Sequence, residues 1–205
     1  MSPRHFSMLR SFHLADFLTL GNGCCGTAAI FFAMAHVRAG DPRKIDAAGV
    51  FVALALVFDV MDGRVARWRH RASPMGRELD SLADVISFGV APAALGYALG
   101  LTGIGDGIAL LYFVACGISR LARYNITAEQ MSQETGKVTY FEGTPIPSSV
   151  LLVILLVALT HAGRVDAALP GGAIQVGPVE LHLIALLFVL SGSLMISKTL
   201  HIPKP

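Results

Sequence analysis

Asp59, Asp62, Gly63, Ala66, Arg67, Gly76, Asp80 and Asp84 fall into the spacing D-x2-D-G-x2-A-R-x8-G-x3-D-x3-D. On a helix, residues three or four apart share a face, so Asp59 pairs with Asp62 and Asp80 with Asp84. Two such pairs brought face to face make a cage of hard oxygen donors, which selects Mg, Mn or Ca over zinc. Gly63 and Gly76 remove side chains where a ligand would approach the backbone, and Arg67 offers a planar donor fork suited to phosphate oxygens. Carboxylates, cation and arginine together are equipment for handling a diphosphate.

These acids must be positioned by a chain that is mostly hydrocarbon. Of 205 residues, 54% are hydrophobic and 15% charged, with a mean hydropathy of +0.62, whereas about a quarter of the residues of a soluble domain are charged. The composition reads as an all-α integral membrane protein, and the net charge of +2 gives no sign of a nucleic-acid partner. An unpaired Asp costs up to about +3 kcal/mol at the centre of a spanning helix, so four approach roughly +12 kcal/mol as an upper bound. Bound divalent metal offsets that cost, and beside a membrane the diphosphate is a lipid's.

Six apolar stretches approach the roughly 20 residues needed to cross a bilayer. They lie near Ala15 to Val37, Ala47 to Ala66, Ser81 to Leu101, Gly105 to Arg123, Ile146 to His161 and Val179 to Ser197. Residues 1–14 mix Arg4, His5, Arg10 and His13 with Phe6, Met8, Leu9 and Phe12, which suits a helix lying in the interface; residues 15–205 form the six-helix domain. With both termini inside, twelve of the sixteen Lys and Arg fall on the cytoplasmic side; Arg38, Arg43, Lys44 and Arg164 fall outside. Cleavage after Ala33-Met34-Ala35 as a signal peptide is the alternative, and it would leave five spans. In the six-span arrangement the acids sit at the cytoplasmic ends of two consecutive helices, facing each other across one short connection.

The eight-position pattern resembles the signature of the CDP-alcohol phosphatidyltransferase family, and all its fixed positions are filled here. The resemblance implies transfer of a phosphatidyl group from a CDP-linked lipid to an alcohol, with release of CMP, by a homodimer in the inner membrane of a prokaryote. It also implies that Asp59, Asp62, Asp80 and Asp84 hold two divalent ions, Mg or Mn, with Ca as an inhibitor or structural substitute. Asp84 would act as the base, and Gly63, Ala66 and Arg67, with Gly76 nearby, would lie against the CDP moiety. Two ions about 4 Å apart can bridge a diphosphate and orient an in-line attack. Asp84 is deepest along its helix and so is placed to take the acceptor's hydroxyl proton.

For the acceptor, the stretches from Glu78 to Ala93, from Ser119 to Asn125 and from Leu18 to Asn22 are similar to the serine-using branch of that family. That likeness implies CDP-diacylglycerol and L-serine as substrates. A free amino acid needs a cation for its carboxylate; Arg120 and Arg123 share a helix face and could supply it, with Ser87 and Asn125 as polar neighbours. The same arginines also serve as positive-inside anchors. One position departs: in Phe141-Glu142-Gly143-Thr144-Pro145-Ile146-Pro147, Thr144 stands where the branch has Leu. Glycerol 3-phosphate, inositol phosphate and choline stay open as acceptors on that ground.

Other signals carry less. Gly21-x-Gly23-x-x-Gly26 matches a dinucleotide fingerprint but begins a spanning helix instead of following a strand, so it reads as close helix packing. Cys24, Cys25 and Cys116 have no metal or disulfide spacing. His36, His161 and His182 fall near expected helix ends, Pro92 is placed to kink the third segment, and residues 162–177 read as plain connection. Two rival classes use membrane carboxylates: an intramembrane prenyltransferase, which lacks the Gly63, Ala66, Arg67, Gly76 framework, and a cation transporter, which sets acids near the midplane in broken helices.

Overall fold

The computed structural model describes residues 14–68, 74–134, 140–197 and 201–203. The expected interfacial segment, apart from Leu14, lies outside the described residues, as do residues 69–73 of the link between the two acid pairs. Helix α1 spans Leu14–Ala39 and α2 spans Pro42–Trp68. Gly40 ends α1 in the left-handed region at φ 64°, its N–H donating to His36 O at 2.7 Å, and Pro42 opens α2. Glycine past the end of one helix and proline at the start of the next let two residues reverse the chain. The buried positions of the pair are mostly small: Cys25, Ala29 and Ala33 on α1, Ala48, Val52 and Ala55 on α2. Small residues let backbones approach where lipid supplies no hydrophobic drive for association.

Helix α3 (Pro74–Asp84) passes through a π-helical turn, Val85–Val90, into α4 (Ala91–Ala98). The helix changes register just ahead of Pro92, where a kink was expected. Proline has no N–H for the carbonyl four residues back, that of Phe88; Phe88 O instead accepts a hydrogen bond from Ser149 Oγ at 2.6 Å. Ser149 closes a 3-10 turn, Ile146–Ser149, that leads into α6 (Val150–His161). Helix α5 (Ile104–Glu134) continues past Arg123, where its apolar stretch was expected to stop. It packs on α7 (Ala185–Ile196) through Phe113 and Phe188, whose rings meet edge to face at 5.3 Å.

Ala15–Ala39, Met75–Ala98 and Ile104–Thr127 are long and apolar enough to cross a membrane. Helix α2 is as long, but Asp46, Asp59 and Asp62 load it with more charge. Helices α6 and α7 have 12 residues each, or about 18 Å of the roughly 30 Å of hydrocarbon. The sixth expected span is therefore corrected: Val179–His182 is a strand, β3, paired antiparallel with β2 (Ala173–Val176). Gly177 turns the hairpin at φ 63°, a glycine at the first central position of a two-residue loop. Residues 162–177 are thus more than connection. A second pair, β1 (Tyr140–Glu142) with β4 (His201–Pro203), also departs from a purely helical fold.

The hairpin is fastened to the start of α5 by Asp106, which is fully buried. Its Oδ1 accepts from His182 N–H at 2.7 Å and its Oδ2 pairs with His182 Nδ1 at 2.7 Å. Gly103 N–H donates to Oδ2 at 3.0 Å, the back-reach by which an acid in the first turn caps its own helix. His182 is therefore a buried structural residue at the end of β3, and its expected place at a helix end is corrected. His161 does close α6, within 3.0 Å of Asp46 Oδ1, and His36 Nδ1 lies 2.9 Å from Asp41 O. The three cysteines are free.

Candidate active site

All eight positions of the acidic pattern lie on α2 and α3. The acids are not at the helix ends as expected, because α2 continues from Asp62 to Trp68 and α3 begins at Pro74, ahead of Asp80. Asp59, Asp62 and Asp80 are set one turn or more inside, and Asp84 lies where α3 passes into the π-helical turn.

Asp59, Asp62 and Asp80 converge: one carboxylate oxygen from each lies within 4.8 Å of the other two. Asp62 is buried and the other two are half-buried. Three carboxylates this close repel one another in a poorly solvated site, and Asp80 Oδ1 is buried without a hydrogen-bond partner among the described residues. A cation answers both, so the donor set fits a hard divalent metal. Asp84 stands beside this trio, within electrostatic reach of all three. It is 6% exposed, and its Oδ1 accepts from Asn22 Nδ2 at 3.1 Å.

Gly63 follows Asp62 with no described atom within 4 Å of where a side chain would project, which leaves room for a ligand. Ala66 and Arg67 fall in the last turns of α2, and their side chains lie outside the described residues; Gly76 falls in the first turn of α3. Of the acceptor candidates, Arg120 is buried, within electrostatic reach of Asp84, and has its guanidinium 5.9 Å from the Tyr124 ring centroid. Its Nε is buried and has no hydrogen-bond partner among the described residues. Arg123 Nη2 donates to Ile196 O at 3.4 Å. Asn125 and Ser81 exchange hydrogen bonds at 3.0 and 3.3 Å, and Ser87 Oγ donates to Asn22 O at 2.9 Å. Thr144 sits behind Gly143 at the end of α7, its N–H donating to Leu194 O at 3.2 Å.

Reading the sequence missed a third wall. Helix α1 brings Thr19 Oγ1 to 2.7 Å from Asp62 Oδ2, and Asn22 to Asp84. Both are buried polar residues in an apolar helix, which is the signal that could have found them. Of the glycines of the false dinucleotide fingerprint, Gly26 makes this approach possible: a side chain there would come within 2.6 Å of Ser87 Cα, whereas one at Gly23 would meet Ala83 at an ordinary 3.5 Å.

The CDP-alcohol phosphatidyltransferase family model matches residues 12–193. The chain belongs to that family. As a CDP-alcohol phosphatidyltransferase it is set apart from the prenyltransferase and cation-transporter alternatives. A protein of Saccharomyces cerevisiae named CDP-diacylglycerol--serine O-phosphatidyltransferase is 44% identical over 98% of this chain and 74% of its own length. Proteins of the same name from Mycobacterium leprae and Bacillus subtilis are 39% and 37% identical over 71% and 68% of the chain. The chain spans 47% of the mycobacterial relative and 72% of the Bacillus one.

Proposed function

We propose that this phosphatidyltransferase moves the phosphatidyl group of CDP-diacylglycerol to the hydroxyl of L-serine, giving phosphatidylserine and CMP. The observation that carries the reading is the convergence of Asp59, Asp62 and Asp80 with Asp84 alongside, in a chain whose relatives bear the serine enzyme's name. Two divalent ions, Mg or Mn, bound among the four carboxylates would supply positive charge to the diphosphate and to the departing CMP. Arg67, the open backbone at Gly63 and Gly76 hold the CDP end of the lipid. Asp84, tethered through Oδ1, keeps Oδ2 for the serine hydroxyl proton.

Arg120 is the principal cation for the serine carboxylate, since its Nε is buried and unpartnered among the described residues, on the side of Asp84. Arg123 supports it from the edge. Ser87 and Asn125, already engaged with Asn22 and Ser81, shape the pocket wall. The protein lies in the inner membrane of a prokaryote with the acids facing the cytoplasm; six spans count α2 and require α6 and α7 to be extended by their flanking segments. The family resemblance also carries a homodimer.

Incubating the purified protein with CDP-diacylglycerol, Mn or Mg, and serine, glycerol 3-phosphate, inositol phosphate or choline in turn tests the reading through CMP release. Release with serine is the expected result. Release only with another acceptor overturns the serine assignment, and none with any acceptor overturns the enzyme.

A further inference from the structure

Helix α1 carries no member of the acidic pattern, yet it makes one hydrogen bond to an acid on each of the two helices that do. Thr19 reaches Asp62 on α2 and Asn22 reaches Asp84 on α3. The two donors are three residues apart, about 4.5 Å along the axis. We propose that Thr19 and Asn22 are positioning residues that give the carboxylates separate roles, Thr19 by aiming Asp62 into the three-carboxylate cluster and Asn22 by fixing Asp84 beside it. This rests on the phosphatidyl-transfer reading.

The geometry of each donor supports this. Thr19 Oγ1 lies 2.7 Å from Asp62 Oδ2 and 3.1 Å from Ala15 O. A hydroxyl has a single hydrogen, and the shorter contact to a carboxylate takes it. That bond fixes one oxygen of Asp62. Asn22 is fully buried, and its Oδ1 has no partner among the described residues. Its amide is turned so that Nδ2 faces Asp84; the flipped amide would set two oxygens against each other.

A buried amide with an unmatched oxygen is a poor choice for stability in an apolar helix, where an apolar side chain would leave no polar atom unmatched. What Asn22 offers in exchange is a fixed Asp84. The segment is pinned from its other side as well, because Asn22 O accepts from Ser87 Oγ, three residues beyond Asp84, where the absence of a side chain at Gly26 admits it.

The test uses the full chain in detergent with Thr19→Val, Thr19→Ser and Asn22→Leu. Two measurements are made: the thermal midpoint as Mn alone is added without substrate, and kcat and KM for CMP release. Partners that orient metal-binding side chains are worth about 10- to 100-fold when removed. Thr19→Val is therefore expected to need about 10- to 100-fold more Mn for the same rise in midpoint, and Thr19→Ser to respond as the wild type. Asn22→Leu is expected to shift the Mn response less than Thr19→Val does, to keep the KM for CDP-diacylglycerol and to lose kcat by about 10- to 100-fold. Variants whose Mn response and kcat match the wild type overturn the proposal. So does a loss of activity that only follows a lower metal-free midpoint. A wild type whose midpoint ignores Mn overturns the metal reading itself, and this proposal with it.

Discussion

Asp84 is tethered apart from its three companions. Asp59, Asp62 and Asp80 bring their ligand oxygens together, while Asp84 Oδ1 is held by Asn22. Asp84→Asn is expected to cut CMP release by about 10²- to 10⁴-fold, the usual weight of a general base, while CDP-lipid binding partly survives. Equal loss of turnover and of CDP-diacylglycerol binding would remove the division of labour between Asp84 and the trio. The four acids were legible from sequence because charge inside hydrocarbon demands explanation. Thr19 and Asn22 were not, since their partners lie 43 and 62 residues away and a small polar residue in an apolar helix also reads as packing. The acids were placed too near the helix ends because hydropathy marks where a stretch stops being apolar, whereas α2 and α3 run on through polar residues.

Between α3 and α4 the chain trades one hydrogen-bond register for another, and Ser149 supplies the donor that Pro92 lacks. Ser149→Ala leaves Phe88 O without that donor in a buried position, which costs about 1–3 kcal/mol. The thermal midpoint of Ser149→Ala is expected to fall, and Ser149→Ala with Pro92→Ala to recover part of the loss, because alanine in place of the proline brings an N–H. A double variant no more stable than the single one would show that Pro92 and Ser149 are unconnected. Neither the π turn nor its cap could be read from sequence: they depend on a serine 61 residues away from Phe88. The sixth segment failed for a different reason. Val179 to Ile196 is apolar almost throughout, so hydropathy joins a strand to a helix; the Gly177–Pro178 turn and the alternation of Val179, Glu180, Leu181 and His182 were the local marks of a hairpin.

Among the described residues the molecule has two polar interiors separated along α5. Asp106 and Arg120 are about 21 Å apart along that helix at 1.5 Å per residue, so the Asp106–His182 clamp and the acid site can be disturbed independently. Asp106→Ala strips the His182 backbone, the His182 ring and Gly103 N–H of one shared acceptor. A buried donor left unmatched costs about 1–3 kcal/mol, so a lower thermal midpoint is expected, with turnover per folded molecule unchanged at low temperature. Loss of kcat without loss of stability would tie the two ends together.

The two-residue turn at Gly40 and Asp41 bears on how the chain is made. Helix α2, loaded with Asp46, Asp59 and Asp62, enters hydrocarbon less readily than α1, since each Asp near the centre costs up to about +3 kcal/mol. An insertion reporter fused to α2 alone is expected to score lower than one fused to the α1–α2 pair; equal scores would refute this. With so short a turn the two helices are expected to enter the bilayer together, so that Thr19 meets Asp62 before α3 is in place. On that order, half of the carboxylate site is oriented during synthesis, ahead of Asp80 and Asp84.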